Sequence, residues 1–269
     1  MTDLSGKTVL ITGAGGGFGL HMTRQFRAAR CMLVLTDLCD RALVPAIDEA
    51  GDALRASIAA DLATEEGCGV IAGTCRAIGI VPDVLVNNAG IGFAGRLDHV
   101  PREKWETLIQ LNLLAPMRLC NLFLPAMIER DSGHIVNISS LAGWVGSHGM
   151  TAYCASKFGL RGFGESLSAD LEGTGVQVTN VYPCFSRTPI LDSPQFGYPE
   201  RRVVPDHLIS DPSDVVKQIL KGVRSNQLHV FPDKHARRIH YLKRFMPWVI
   251  PMLNRRMQTE SIATGKEAT

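Results

Sequence analysis

No two of the seven cysteines stand in a C-x-x-C pair, and their total is odd. That arrangement argues against a zinc site and a disulfide framework alike, so Cys31, Cys39, Cys68, Cys75, Cys120, Cys154 and Cys184 are expected as free thiols in a reducing compartment, and no bound metal is expected. Missing as well is a basic stretch followed by an apolar core in the opening MTDLSGKTVLITG, so no export signal is read. Apolar runs are broken by glycine, proline or charge well short of the roughly 20 residues that span a bilayer. Internal repeats and low-complexity linkers are absent. Neither charge dominates: the net is +2, and from Asp233 onward eight basic residues face three acidic ones, leaving the first 232 residues at −3. A body of that sign is not expected to bind nucleic acid. What remains is a cytoplasmic globule with 45% apolar and 20% charged residues, long enough at 269 residues for one large α/β domain or two small ones.

Seven short apolar runs are there: Lys7 to Thr12, Cys31 to Asp37, Ala56 to Asp61, Asp83 to Gly90, Gly133 to Ser140, Val176 to Pro183 and Leu228 to Phe231. Their continuous Val, Ile and Leu character predicts parallel strands buried on both faces. Helical spacing lies between them, most clearly over Glu103 to Glu129 and Thr151 to Glu172. The order βαβα predicts a doubly wound, Rossmann-type parallel sheet of about seven strands with helices on both faces.

Ligands of such sheets bind beyond the carboxyl ends of the strands, and the first such end reads TGAGGGFG, Thr12 to Gly19. It follows a strand and opens a helix, the context in which a glycine cluster can cradle a pyrophosphate at a helix N-terminus. Twenty residues past Gly17, Asp37 ends the second strand, where a carboxylate can accept hydrogen bonds from ribose hydroxyls. The competing role for Asp37, capping the next helix, is weakened because Asp40 can serve as that cap. Further on, TAYCASK places Tyr153 and Lys157 four residues apart, on one face of a helix.

These residues resemble the classical short-chain dehydrogenase/reductase family, from about Leu4 to Phe231. Thr12, Gly13, Gly17 and Gly19 match its T-G-x-x-x-G-x-G spacing, Asn87 to Gly90 its NNAG motif, and Asp61 its adenine-contacting aspartate. Asn112, Ser140, Tyr153 and Lys157 match its catalytic tetrad, with Ser140 thirteen residues before Tyr153. The resemblance implies an NAD(P)-dependent oxidoreductase whose dinucleotide is held by Gly13, Gly17, Phe18, Gly19, Asp37, Asp61, Leu62, Asn88, Ala89, Gly90, Tyr153, Lys157, Pro183 and Thr188. It also implies that Asn112 steadies a water linking Lys157 to solvent and that Lys157 holds the nicotinamide ribose. One departure is visible: the family usually has Pro-Gly after the sixth strand, whereas this chain has Pro183 and Cys184, whose side chain is expected to narrow or reorient the nicotinamide pocket.

Oxidising an alcohol by hydride loss needs a base for the hydroxyl proton, and a free phenol with a pKa near 10 is too protonated at neutral pH. An ammonium about 4 Å away, at an effective dielectric of ~20, favours the phenolate by ~4 kcal/mol, or ~3 pKa units. Tyr153 is thereby expected as the general acid/base, Lys157 as the group depressing its pKa, and Ser140 as a donor to the substrate oxygen, with Ser139 a structural neighbour. Asp37 repels a 2′-phosphate, and neither Gly16 nor Leu38 supplies a cation for one, so NAD is expected over NADP.

The segments expected near the reacting carbon, Ile91 to Gly95, Leu141 to Met150 and Cys184 to Pro205, are apolar in their first two members. That predicts a hydrophobic alcohol or ketone, lipid-like in the manner of a steroid, retinoid or long-chain acyl compound. His148 is expected as a wall or surface residue, and Arg187, Arg201 and Arg202 as a solvated loop. Two other classes stay open, a sugar-nucleotide epimerase or dehydratase and a non-catalytic redox sensor. The first calls for a longer chain and different glycine spacing, the second for a broken tetrad. The family resemblance also implies a homodimer or homotetramer paired through the helices Glu103 to Glu129 and Thr151 to Glu172.

Residues 233–269 lie beyond the last family strand. Ile239, Leu242, Phe245 and Met246 recur at helical spacing, Pro247 should end that helix, and a second one should carry Trp248, Val249, Met252 and Leu253. Arg237, Arg238, Lys243, Arg244, Arg255 and Arg256 surround this apolar surface. Residues 1–232 are therefore expected as the catalytic domain and 233–269 as a basic amphipathic extension, serving as a lid, a subunit contact or a segment peripheral to a membrane.

Overall fold

The computed structural model describes residues 2–198, 201 and 203–252, so Arg202, Leu253, Arg255 and Arg256 lie outside the described residues. Among the described residues, nine strands and eight α-helices of defined extent follow one another. The strands are β1 Thr8–Thr12, β2 Met32–Asp37, β3 Leu54–Ala59, β4 Val84–Asn87, β5 Ala94–Gly95, β6 Gly133–Ile138, β7 Val176–Val181, β8 Gln195–Phe196 and β9 His229–Val230. The helices are α1 Gly17–Ala28, α2 Asp40–Ala50, α3 Glu65–Ala77, α4 Arg102–Ile109, α5 Ala115–Glu129, α6 Thr151–Asp170, α7 Pro212–Arg224 and α8 Lys234–Phe245.

Seven strands form one parallel sheet in the order β3-β2-β1-β4-β6-β7-β9, as the apolar runs predict. In β1 the side chains alternate: Val9 and Ile11 join Met22, Phe26, Leu43 and Ile219 on one face, while Leu10 joins Ile71, Leu119, Phe123 and Leu167 on the other. A strand with both faces in contact with helices can carry no polar position, which is why it reads as an unbroken apolar run. β3 departs from this. It begins two residues before the expected Ala56 and alternates between half-buried and exposed side chains over Leu54–Ser57, because among the described residues it is an edge strand of the sheet. Asp61 accordingly lies in the turn after β3, where its carboxylate accepts the Ala63 N–H at 2.9 Å.

The single helix expected over Glu103 to Glu129 is three segments, α4, a five-residue π-helical stretch Gln110–Leu114, and α5. By length and mean hydropathy the run Arg102–Glu129 is apolar enough to cross a membrane. Its inner face instead packs on the sheet through Leu119, Phe123 and Met127, and its π-helical turn carries buried Asn112. Extra residues inserted into a helical turn re-aim a side chain, here Asn112.

Also unforeseen is the ribbon β5-β8, two residues in each strand. It joins the loop after β4 to the loop after β7. Gly95 meanwhile bridges Met150 and donates its N–H to the Gly149 carbonyl at 2.7 Å. Three loops far apart in sequence thus meet above the carboxyl edge of the sheet.

Candidate functional site

The glycine loop sits between β1 and α1. Gly13 adopts φ +63°, and a Cβ there would lie 2.9 Å from Ala89 Cα, while one on Gly15 would run into the Ala42 carbonyl. No side chain fits at either place. The loop is pinned from β4: Thr12 Oγ1 accepts the Asn88 and Ala89 N–H groups at 2.9 Å each, and Asn88 Nδ2 donates to the Thr12 and Gly13 carbonyls at 2.8 and 3.0 Å. The N-terminus of α1 carries neither a side-chain cap nor an acidic residue in its first turn, so its N–H groups and positive dipole end face the loop uncompensated. Thr188 closes the far side, since a Cβ on Gly17 would lie 3.5 Å from Thr188 Cβ. These residues fit the pyrophosphate of a dinucleotide.

At the end of β2, Asp37 Oδ2 accepts the Gly15 N–H at 2.9 Å and Oδ1 the Leu38 N–H at 2.8 Å. It is therefore a loop-fixing carboxylate and not a helix cap. The expectation that Asp40 caps α2 is corrected as well: Asp40 is the first helical residue, and Cys39 occupies the cap position without a side-chain bond. Leu62 is buried beneath the turn at Asp61.

Tyr153 and Lys157 occupy the first two turns of α6, both buried. Lys157 Nζ lies 5.7 Å from the centre of the Tyr153 ring and donates to the Ile138 carbonyl at 2.9 Å. Burial pushes the Tyr153 phenol up to about 12, with a hydrogen bond to Ser140 working against it, and holds the Lys157 ammonium down at about 8. Proximity to lysine therefore does not bring this phenol toward neutrality in the chain alone, contrary to expectation. Desolvation dominates because the buried phenolate loses its hydration, while the Lys157 ammonium is itself disfavoured by burial and is bonded to the Ile138 carbonyl.

Ser140 begins a short turn, its Oγ accepting the Ala142 N–H at 3.1 Å. Ser139 Oγ donates to the Lys157 carbonyl at 2.9 Å, a structural tie as expected. Asn112 spends its side-chain amide on the protein itself. Its Oδ1 accepts the Ile91 N–H and its Nδ2 donates to the Ile91 carbonyl, both at 2.9 Å, and Nδ2 also reaches Ser156 Oγ at 3.3 Å. Its amide clamps the loop after β4 onto α6. A Cβ on Gly90 would lie 3.0 Å from Asn112 Oδ1 and 3.6 Å from Lys157 Nζ, so Gly90, Asn112 and Lys157 do converge.

The apolar wall emerges at Gly92, where a Cβ would lie 3.1 Å from Ile190 and 3.6 Å from the Tyr153 ring. Behind it Phe93 meets Phe196 edge to face at 5.9 Å, in a cluster with Val100, Leu108, Ala152 and Met150. His148 and Tyr198 rings lie 6.5 Å apart at its rim. Arg187 and Arg201 pair with Asp206 and Asp192 in the open, as a solvated loop does.

Sequence reasoning missed three contributors. Asn87, Asn137 and Asn180 form a buried ladder across β4, β6 and β7, with Nδ2 to Oδ1 distances of 2.9 and 3.1 Å. Asp233, buried, accepts the Cys184 N–H and the Ala236 N–H at 2.8 Å each, tying the loop after β7 to the start of α8. An aspartate before a helical pattern is a cap signal, but its second partner is not legible from sequence. Trp144 lies under α8 with the Arg161 guanidinium 3.8 Å from its ring centre. Cys184 is half-buried, its thiol pushed up to about 12 by burial and by Asp233, which leaves it an unreactive wall group. A cavity of about 250 Å³ between Thr2, Asp83, His134 and Asn226 lies at the opposite, amino edge of the sheet, away from this chemistry.

Residues 7–195 match the family described as short chain dehydrogenase. Epidermal retinol dehydrogenase 2 of Homo sapiens is 32% identical over 252 residues, 91% of this chain and 80% of that protein. Among solved structures, a short-chain dehydrogenase from Streptomyces avermitilis is 28% identical, with a TM-score of 0.80 over 98% of this chain and 100% of that one. A metagenomic short-chain oxidoreductase in complex with NADP is 33% identical, with a TM-score of 0.69 over 86% and 98%.

Proposed function

The chain belongs to the short-chain dehydrogenase family, an NAD(P)-dependent oxidoreductase by that membership, and we propose that it interconverts a hydrophobic secondary or primary alcohol with its ketone or aldehyde, using NAD. The observation that carries this reading is the convergence of Tyr153, Lys157 and Ser140 with the apolar wall at Gly92 and Ile190, beside a glycine loop shaped for a dinucleotide. The name of the human relative, a retinol dehydrogenase, supports a lipid-like substrate.

When bound, the nicotinamide ring accepts or delivers the hydride, and its oxidised form adds a positive charge near the phenol. The protein residues do the rest. Tyr153 takes the hydroxyl proton as the alcohol carbon loses its hydride, and returns a proton to the oxygen in reduction. Ser140 donates a hydrogen bond to the substrate oxygen where negative charge develops. Lys157 holds its ammonium below the phenol and toward the ribose. Asn112 positions Ile91, and with it the loop that presents Gly92. Gly13, Gly17, Phe18, Gly19, Asp61, Leu62, Asn88, Ala89, Gly90, Pro183 and Thr188 would hold the dinucleotide, and Asp37 would accept hydrogen bonds from its adenosine ribose.

The metagenomic relative is in complex with NADP, so the choice of NAD in this proposal rests on Asp37. Turnover of long-chain and short alcohols with either cofactor tests both parts of the proposal. The parent should prefer NAD and the longer alcohol, and Asp37→Ala should raise the ratio of NADP to NAD efficiency by about tenfold or more, because one charge repelling the 2′-phosphate is gone. A parent that already prefers NADP refutes the reading of Asp37. Absence of hydride turnover with every alcohol tried, alongside intact dinucleotide binding, favours a redox sensor.

Self-association belongs to the same proposal. Met117, Leu122, Ile128 and Phe158 leave 37 to 42% of their surface exposed on α5 and α6, more apolar area than a solitary helix pair needs to show. A homodimer or homotetramer through these helices is expected, and sedimentation as a monomer at micromolar concentration overturns it.

A further inference from the structure

The helix α8 has two unlike faces. Inward, Ala236 is fully buried, His240 stacks on Phe231 with ring centres 4.1 Å apart, and Lys243 Nζ donates to the Trp144 carbonyl and lies 5.4 Å from the Phe158 ring centre. These contacts satisfy the helix on the body of the protein. Outward, Arg237, Arg238 and Arg244 are exposed beside Tyr241 and Phe245, all within one helical face by their three- and four-residue spacing. The chain then turns at Pro247 and places Trp248 and Met252 in the open, each about two thirds exposed at 66% and 64%.

This concentration is not the ordinary scatter of surface apolar groups. Five of the eighteen exposed large apolar side chains among the described residues fall within Tyr241 to Met252, including three of the four exposed aromatics. Over the same region α8 carries five Lys and Arg residues and no acid. Cations held along the helix with aromatic and thioether tips beyond them match the layering of a bilayer interface, anionic headgroups outside and acyl chains beneath. A second copy is a poor match, since a two-fold pairing of this face would bring two sets of like charges together. A nucleic acid has no use for the exposed phenylalanine and methionine tips as a group, and the body of the chain is net negative.

We propose that the outward face of α8 and the turn after it dock on an anionic lipid surface. Because Asp233 ties α8 to Cys184 and Lys243 ties it to Trp144, the docked helix is joined to two of the three loops that meet at the site, and the lipid lies beside the route of an apolar substrate. Docking is read without turnover, so it stands or fails separately from the substrate proposal.

The full chain should co-sediment with vesicles of phosphatidylcholine mixed with phosphatidylserine, more strongly at low salt, and weakly with phosphatidylcholine alone. Phe245→Ser with Trp248→Ser should lower that binding roughly tenfold or more. Arg237→Gln with Arg238→Gln should lower it about fivefold per charge at low salt. All four positions are exposed, so turnover of a short soluble alcohol should persist in both variants and serve as the folding control. Failure of the parent to bind the anionic vesicles overturns the proposal, as does binding that neither variant weakens. Loss of an oligomer in the aromatic variant without vesicle binding by the parent assigns the face to a second copy instead, and retention on single-stranded RNA but not on vesicles assigns it to nucleic acid.

Discussion

Tyr153→Phe should lose roughly 10² to 10⁴ in turnover while binding the dinucleotide nearly as well as the parent. The phenol is buried within α6, so removing one oxygen leaves the ring packed against Gly92 and the apolar cluster around Phe93. Only the proton transfer is removed. The pH profile provides a second readout. Burial holds the phenol up at about 12 against a hydrogen bond to Ser140, and a positive charge on an oxidised dinucleotide beside it would lower that value. Oxidation needs the phenolate, so its rate should climb with pH until that lowered value is passed. Reduction needs the phenol and should fall over the same range. In the variant both slopes should vanish. Retained turnover, or an unchanged slope, removes Tyr153 from the chemistry.

Lys157→Met should separate stability from activity, in opposite directions. Burial lowers the ammonium from 10.5 to about 8, which means the folded chain carries this charge at a cost. Taken at face value the depression corresponds to about 3 kcal/mol, and the unpaired Ile138 carbonyl left by the substitution returns about 1 kcal/mol of it. A net gain of about 1–2 kcal/mol at pH 7 is expected, a rise in Tm of roughly 2–8 °C. Between pH 8 and 10.5 the unfolded chain holds a proton that the folded chain has lost, so parent stability climbs with pH across that window. The advantage of the variant should therefore be full below pH 8 and gone above 10.5. Turnover should drop about 10²-fold or more, because the ammonium beneath the phenol is missing. A variant less stable than the parent at pH 7 refutes the account of the buried charge, and one with parental turnover refutes the role.

The two substitutions also show where local reasoning reaches and where it stops. Tyr153 and Lys157 could be placed on one face from their spacing alone, since a helix repeats every 3.6 residues whatever surrounds it. Their pKa values could not. A distance-based estimate gives the lysine charge a leading role, whereas burial dominates once α6 is packed beneath the loops, and burial is a property of the whole chain. Asn112 is a parallel case. Its position in the motif was legible, but its hold on Ile91 depends on a π-helical turn that no periodicity announces.

By itself the sequence determined the order of strands and helices, the parallel sheet, the glycine loop, the carboxylate at Asp37 and the Tyr153, Lys157 and Ser140 set. Each of these is written in local patterns: continuous apolar runs, residues that tolerate positive φ, or fixed spacing along one element. Tertiary structure alone decided that β5 and β8 pair, that Asp233 joins Cys184 to α8, that Trp144 sits beneath Lys243 and Arg161, and that Phe245 and Trp248 face outward while Ala236 and His240 face in. Apart from Trp144 and Arg161, which are 17 positions apart, the pairs among those contacts join residues 49 to about 100 positions apart, and two-residue strands or single side chains carry too little sequence signal to specify partners at that range. The physical reason is that such pairs gain stability only after the sheet has already brought their loops together.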